Sequence, residues 1–374
     1  MNILICTGVY PPDIGGPATY VKILERELPR QGFDIKIVTY SDKNERNSDN
    51  LKKIYRGKNI LLRYFEFFLQ IIKSLDWSDL IYVQGSMSEG VPASLAAKLK
   101  RKKYVLKIAG DHAWEQGRQR FGVKDSLDNF QEKKYGTRVE IIRFLQKQVA
   151  KGAGRVIVPS KYLKKIVLGW GVEEKKIEVV YNAVKFTDVK VMNKPANERW
   201  LVTVARLTPW KGIDTLIDLM PILLKEFPNL KLKIIGDGSE FENLESRILN
   251  LGLENSVNLL GRLANKETLA YIKSADMFIL NSAYEGLSHV ILEALSLGTP
   301  VLASDVGGNP EVLQNGKIGE LFGYNNKEEI KEKLVEALRS GSLRQSLDKE
   351  KKEFLENFST KRMIDRISTT LKHV

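Results

Sequence analysis

Cysteine, histidine and long apolar runs are nearly missing from this sequence, and each shortage closes off a class of function. A single cysteine, Cys6, among 374 residues excludes an intrachain disulfide. It lies in the apolar run 2–6 and reads as a small core hydrophobe in a reducing compartment. Three histidines and that one cysteine leave little from which to build a zinc site. No Asp-x-Asp pair is present to hold a divalent cation against a diphosphate, so neither a metal nor a separate cofactor is expected. No stretch reaches the roughly 18 uncharged apolar residues of a membrane span. The best one, residues 60–75, is interrupted by Arg63, Glu66 and Lys73. The N-terminus shows neither the basic region nor the small-residue cleavage site of a secretory leader, which points to a cytoplasmic location.

Negative charge is short in one half only. Residues 1–180 carry 33 Lys and Arg against 20 Asp and Glu, whereas residues 181–374 carry 26 of each, so the whole net charge of +13 belongs to the first half. An excess so placed faces something anionic. Its focus is Lys98, Lys100, Arg101, Lys102 and Lys103, with a nearby aromatic segment holding Tyr64, Phe65, Phe67 and Phe68. Two readings stand: peripheral contact with an anionic membrane leaflet, or a core-facing helix beside a solvated charge run. No nucleic-acid-binding motif accompanies the charge, so nucleic acid is not an expected partner.

What the sequence does contain is a repeated alternation of short β-branched runs and longer helical segments. Runs at 2–6, 34–39, 80–83, 104–108 and 156–158 form one series, and 200–204, 231–235, 257–260, 277–280 and 300–303 a second. Alternation of this kind implies parallel strands with crossover helices. The expected fold is therefore α/β: two Rossmann-like doubly wound domains, 1–185 and 196–355, facing across a cleft, with the polar segment 182–198 as linker. Met363, Ile364, Ile367 and Leu371 give the last segment helical spacing, and it could pack on either domain.

Two motifs in the second series carry chemistry. Glu285-Gly286-Leu287-Ser288 follows a strand and opens an apolar helix that contains Glu293. Gly286 permits close backbone approach to a ligand, and amides from Leu287 to Val290 are helix-start donors suited to phosphate. The segment Arg206-Leu207-Thr208-Pro209-Trp210-Lys211-Gly212 directly follows another strand, where a doubly wound fold presents its ligand. Arg206 and Lys211 can offer two fixed cations to a diphosphate, stabilising the charge that develops on a leaving nucleoside diphosphate.

With these residues stand Gly236-Asp237-Gly238 after a strand, Gly261-Arg262-Leu263, and Gly307-Gly308-Asn309-Pro310-Glu311. Their order and spacing resemble the retaining glycosyltransferases of family 4, which have the two-domain GT-B architecture. Ala205 replaces the glycine usual before the arginine. The resemblance implies that Arg206 and Lys211 bind the donor diphosphate, that Glu293 holds the ribose hydroxyls, and that Glu285 contacts the transferred sugar. The backbone around Gly236 and Leu263 would meet the nucleotide, the latter at the nucleobase, without separating UDP from GDP. The implied partners are a nucleotide sugar and a glycan or lipid-linked acceptor, the acceptor on the N-terminal domain.

In the first half, Gly15 and Gly16 precede a helix expected near Thr19, and by the resemblance this loop receives the donor. The family often carries a histidine on the loop after residue 107, where this chain has Ala109 or Gly110. Asp111 and His112 are the alternatives for that role. The expected reaction is metal-independent transfer of a hexose-type sugar with retention. A nucleotide-sugar epimerase on the same architecture, or a basic nucleic-acid-binding protein, are the rival readings.

Overall fold

Apolar runs long enough to be buried on both faces become the central strands of two all-parallel sheets, each in its own unit. The structure, a computed structural model, describes residues 1–13, 15–43, 47–184, 189–340 and 349–374. Ile14 in the expected glycine loop, residues 185–188 of the expected linker and 341–348 near the end of the second domain lie outside the described residues.

Unit 1 comprises Met1–Ala183 and Thr360–Val374. Its strands are β1 (Asn2–Thr7), β2 (Asp34–Ser41), β3 (Leu51–Tyr55), β4 (Leu80–Gln84), β5 (Tyr104–Lys107), β6 (Arg155–Val158) and β7 (Ile177–Val179), in the order β3-β2-β1-β4-β5-β6-β7. Unit 2, Val184–Ser359, holds β8 (Arg199–Val204), β9 (Leu230–Ile235), β10 (Val257–Leu259), β11 (Met277–Leu280), β12 (Val301–Ser304) and β13 (Glu320–Phe322), ordered β10-β9-β8-β11-β12-β13. Strand order reverses between β1 and β4 in unit 1 and between β8 and β11 in unit 2. At such a point the loops leaving the two strands diverge to opposite faces and open a crevice at their carboxyl ends.

Three strands have no counterpart in the apolar runs of the sequence: β3, β7 and β13. Each is an outermost strand of its sheet, short and only partly buried. An edge strand needs apolar residues on fewer sides, so its sequence carries little signal.

The C-terminal helix Thr360–Lys372 belongs to unit 1. Met363, Ile364, Ile367 and Leu371 are buried there with Ile3, Ile5, Leu24, Val105 and Ile157, so the chain returns to complete the core in which it began. Ile367→Ala would remove a fully buried side chain and is expected to cost about 2–5 kcal/mol. Hydrogen exchange checks this: protection falls across β1, β2 and β4 while β8, β9 and β11 keep theirs.

Candidate active site at the strand ends

In unit 2 the two loops at the order reversal are those after β8 and β11, and they carry Arg206, Lys211 and Glu285. The loop after β8 is seated by backbone alone. Ala205 N–H donates to Ile235 O and Leu207 N–H to Asp237 O, each at 3.0 Å, and Gly236 N–H donates to Gly261 O at 2.8 Å. Gly236 has φ 141°, and a Cβ there would stand 1.8 Å from Ala205 O. Only glycine fits so close an approach. The glycine therefore positions the loop that bears Arg206. Leu263, half-buried, follows on the next loop, beyond Gly261.

The sequence offers two fixed cations, and the structure makes them unequal. The Arg206 guanidinium is exposed and has no hydrogen-bond or ion-pair partner among the described residues. Lys211 ends a short turn, Pro209–Lys211, and its Nζ donates to Glu285 Oε1 at 2.5 Å. The side chains of this pair are only 15% and 17% exposed, so the lysine's charge is compensated inside the protein.

Asn281, fully buried at the end of β11, fastens the two loops together and was not foreseen. Its Nδ2 donates to Gly212 O at 2.9 Å and to Asn325 Oδ1 at 2.7 Å, and its Oδ1 accepts from Asn325 N–H at 3.0 Å. Ala283 N–H adds a bond to Trp210 O at 2.8 Å. A buried amide at a strand end is a weak signal, because its partners are remote in sequence.

The Glu285 loop rests on a second glycine seat. Gly308 N–H donates to Glu285 O at 2.8 Å. Gly307 has φ 58°, and a Cβ on it would stand 2.1 Å from that same oxygen. Gly286 and Leu287 lead into the helix His289–Ser296, which Ser288 caps by accepting from Ile291 N–H at 3.4 Å. The capping hydroxyl is thus engaged by its own helix. Glu293 is the fifth residue of this helix, a little over one turn in. Its carboxyl has no partner among the described residues, and burial raises its pKa to about 7.

In unit 1, Gly15 (φ 142°) caps the helix Gly16–Glu27, which begins three residues earlier than Thr19, with Pro17 in its first turn. Both glycines are exposed. Asp111 and His112 separate clearly. Asp111 is fully buried; its Oδ1 accepts from Trp114 N–H at 3.0 Å and Gln146 Nε2 at 2.8 Å, and its Oδ2 from Gln131 Nε2 at 2.9 Å. It is the N-cap of the helix His112–Arg120. His112 is half-buried, and burial lowers its pKa, assisted by Arg120 and opposed by Asp111.

Two buried ionisable groups in unit 1 had not been singled out. Glu89 lies against both Gly8 and Gly85, at the ends of β1 and β4, accepts from the Ser88 hydroxyl, and is raised to about 7 by burial. Lys107, at the end of β5, donates to Asn182 Oδ1 at 2.6 Å and lies 4.1 Å from the Tyr20 ring centre. Burial lowers its pKa to about 7. Among the described residues, no group of three or more His, Cys, Asp or Glu could hold a metal ion, and no helix is long and apolar enough to cross a membrane.

Comparison with known proteins identifies the family and the fold. The model of Glycosyltransferase Family 4 matches residues 14–187, and that of Glycosyl transferases group 1 matches 184–354. An uncharacterized glycosyltransferase of Methanocaldococcus jannaschii is 30% identical over 342 residues, covering 84% of this chain and 83% of its own. The chain belongs to the family 4 glycosyltransferases. This glycosyltransferase is also 26% identical over 362 residues to the alpha-monoglucosyldiacylglycerol synthase of Streptococcus pneumoniae, covering 90% of this chain and 78% of that one. A solved structure of Anabaena HepE in complex with UDP and glucose matches its fold with a TM-score of 0.78 at 20% identity, covering all of both chains. The two Rossmann-like units are those of the GT-B fold.

Glu293 yields a pH prediction for the glycosyltransferase. Its folded-state pKa, about 7, lies above the ordinary carboxylate value of 4.5. The protonated form is favoured in the fold, so its contribution to stability is fully present below about 4.5 and is lost as pH rises through about 7. Glu293→Gln removes that dependence. The melting temperature of the variant minus that of the wild type is expected to increase from pH 5 to pH 8, and a difference that stays flat would refute the assignment.

Proposed function

We propose that this glycosyltransferase moves a hexose-type sugar from a nucleoside diphosphate donor, UDP- or GDP-linked, to a glycan or lipid-linked acceptor with retention at the anomeric carbon. The observation that carries this reading is the pairing, at the strand ends of unit 2, of an exposed Arg206 with a Lys211–Glu285 ion pair. Arg206 grips the diphosphate in bidentate fashion. Lys211 donates a further proton of its ammonium to the β-phosphate, while Glu285 accepts from a hydroxyl of the sugar. The side chains therefore meet charge that a metal ion would otherwise meet, and the absence of an Asp-x-Asp pair supports that choice. Glu293 accepts from the ribose hydroxyls, and the positive end of the helix after Ser288 faces phosphate oxygen.

In the reaction the bond from the anomeric carbon to the β-phosphate oxygen breaks, and the acceptor oxygen bonds the same face of that carbon. The acceptor's proton passes to the departing phosphate, so atoms and charge balance without a covalent enzyme intermediate. In unit 1, His112 is the better candidate of the adjacent pair for the donor sugar. It is accessible and stays neutral near pH 7, whereas both oxygens of Asp111 already hold the helix and its neighbours. Asp111 is a positioning residue for His112, and Gly15 and Gly16 receive the donor's polar groups by backbone.

Lys211→Met is expected to lower kcat by about 10²–10³, the scale for losing one aligned donor to developing charge, and Lys211→Arg to recover little of it. Retained configuration of the product by NMR, and turnover undiminished in EDTA, complete the test. An inverted product would overturn the mechanism, and donor consumption without any acceptor would favour the epimerase reading.

A further inference from the structure

Unit 1 exposes apolar surface on one helical layer. Three helices, Ile60–Leu75, Gly90–Lys100 and Thr137–Gly152, lie in that layer, and the middle one packs against both others. Each buries one side and turns a second apolar stripe to solvent: Leu61 and Phe65 on the first, Leu95 and Leu99 on the second, Ile141 and Phe144 on the third. These six side chains are between 53 and 76% exposed. The inward sides are already complete, with Phe67, Ile71 and Leu75 of the first helix fully buried and Phe67 against the Tyr40 ring. By contrast, Gly16–Glu27 and Thr360–Lys372, which line the core of the same unit, leave no large apolar side chain exposed. Single exposed apolar residues are ordinary, whereas three adjacent stripes form a patch that marks an interaction surface.

The charge on the same layer selects the partner. Residues 60–75, 90–103 and 137–152 hold eleven Lys and Arg and only two acids, Glu66 and Glu140. Both acids are ion-paired within the chain, to Lys58 and Arg143. Lys98 and Arg101 stand exposed beside Leu99, and Arg138 beside Ile141. A second copy of the chain would bring an equal positive field onto this one, and the repulsion opposes self-association. Apolar side chains bordered by basic ones match instead the interface of a bilayer, with acyl chains below and anionic headgroups around.

We infer that the layer formed by these three helices is a docking surface for an anionic lipid leaflet. Leu61, Phe65, Leu95, Leu99, Ile141 and Phe144 enter the interface, while Lys98, Arg101 and Arg138 meet lipid phosphate. This docking is independent of the sugar transferred and of the roles given to Arg206 and Lys211.

The test uses the full chain and co-sedimentation with phosphatidylcholine vesicles made with and without phosphatidylglycerol. The wild type is expected to bind the anionic vesicles, to release them as salt is raised, and to leave the neutral ones in the supernatant. Two variants divide the surface: the apolar Leu61→Ser/Phe65→Ser/Phe144→Ser and the basic Lys98→Glu/Arg101→Glu. All five positions are exposed, so both variants should melt at the wild-type temperature, and each is expected to bind about tenfold or more weakly. Failure of the wild type to bind, or equal binding by wild type and both folded variants, would overturn the proposal. So would light scattering that shows a wild-type dimer which the apolar variant dissociates, because the layer would then be a protein interface.

Discussion

One buried amide holds the loops after β8 and β11 in register. Asn281 joins the end of β11 to the turn at Gly212 and to Asn325, so the segments bearing Lys211 and Glu285 cannot drift independently. The ion pair between those residues depends on this constraint. A largely buried pair repays its desolvation only if geometry is held well, and flexible side chains on two separate loops would not hold it unaided. Backbone seats finish the arrangement: Gly236 lets the loop after β8 press on Ile235 and Asp237, and Gly307 lets the loop after β11 rest on the turn after β12. The site is thus fixed largely by main-chain contacts.

The corresponding position of unit 1 follows another logic. Its order reversal, between β1 and β4, encloses Glu89 between Gly8 and Gly85, and Lys107 lies one strand further along. Both groups are driven toward neutrality by burial, in opposite directions, to about 7. Unit 2 keeps an exposed, unpaired guanidinium suited to a charged ligand, whereas unit 1 buries its ionisable groups. Its cationic character is carried outside, on the helices. This division fits an anionic donor on one unit and an acceptor presented at a charged surface on the other.

How much of this was legible in the sequence depends on how local the determining interaction is. Nine central strands were visible because burial on both faces demands continuous apolar runs, and the edge strand β10 showed with them, while the edge strands β3, β7 and β13 did not. Arg206, Lys211 and Glu285 stood out because each sits just beyond a strand at a spacing that the fold makes meaningful. The Lys211–Glu285 pairing did not, since 74 residues separate the partners. Asp111 and His112 looked interchangeable until the cap bonds of Asp111 distinguished them. The aromatic segment showed the opposite limitation. A core-facing helix was one reading of it, and Phe67 is buried, yet Phe65 on the other side points to solvent. A helix apolar around much of its circumference requires two partners, and periodicity cannot name the second.

The inequality of Arg206 and Lys211 bears on how the proposed transfer could be accelerated. Two free cations would bind the donor's diphosphate strongly before reaction, lowering the ground state along with the transition state, and such uniform binding does not raise kcat. With Lys211 held against Glu285, only Arg206 meets the ground-state charge at full strength. As the glycosidic bond breaks, negative charge grows on the β-phosphate and positive charge on the sugar ring. The two members of the pair then find complementary partners on opposite sides of the breaking bond, Lys211 on the phosphate and Glu285 on the sugar. To their mutual attraction are added two interactions that strengthen as charge separates. An ion pair aligned with a dissociating bond in this way is a device for differential binding, and it requires the fixed register of the loops that Asn281 enforces.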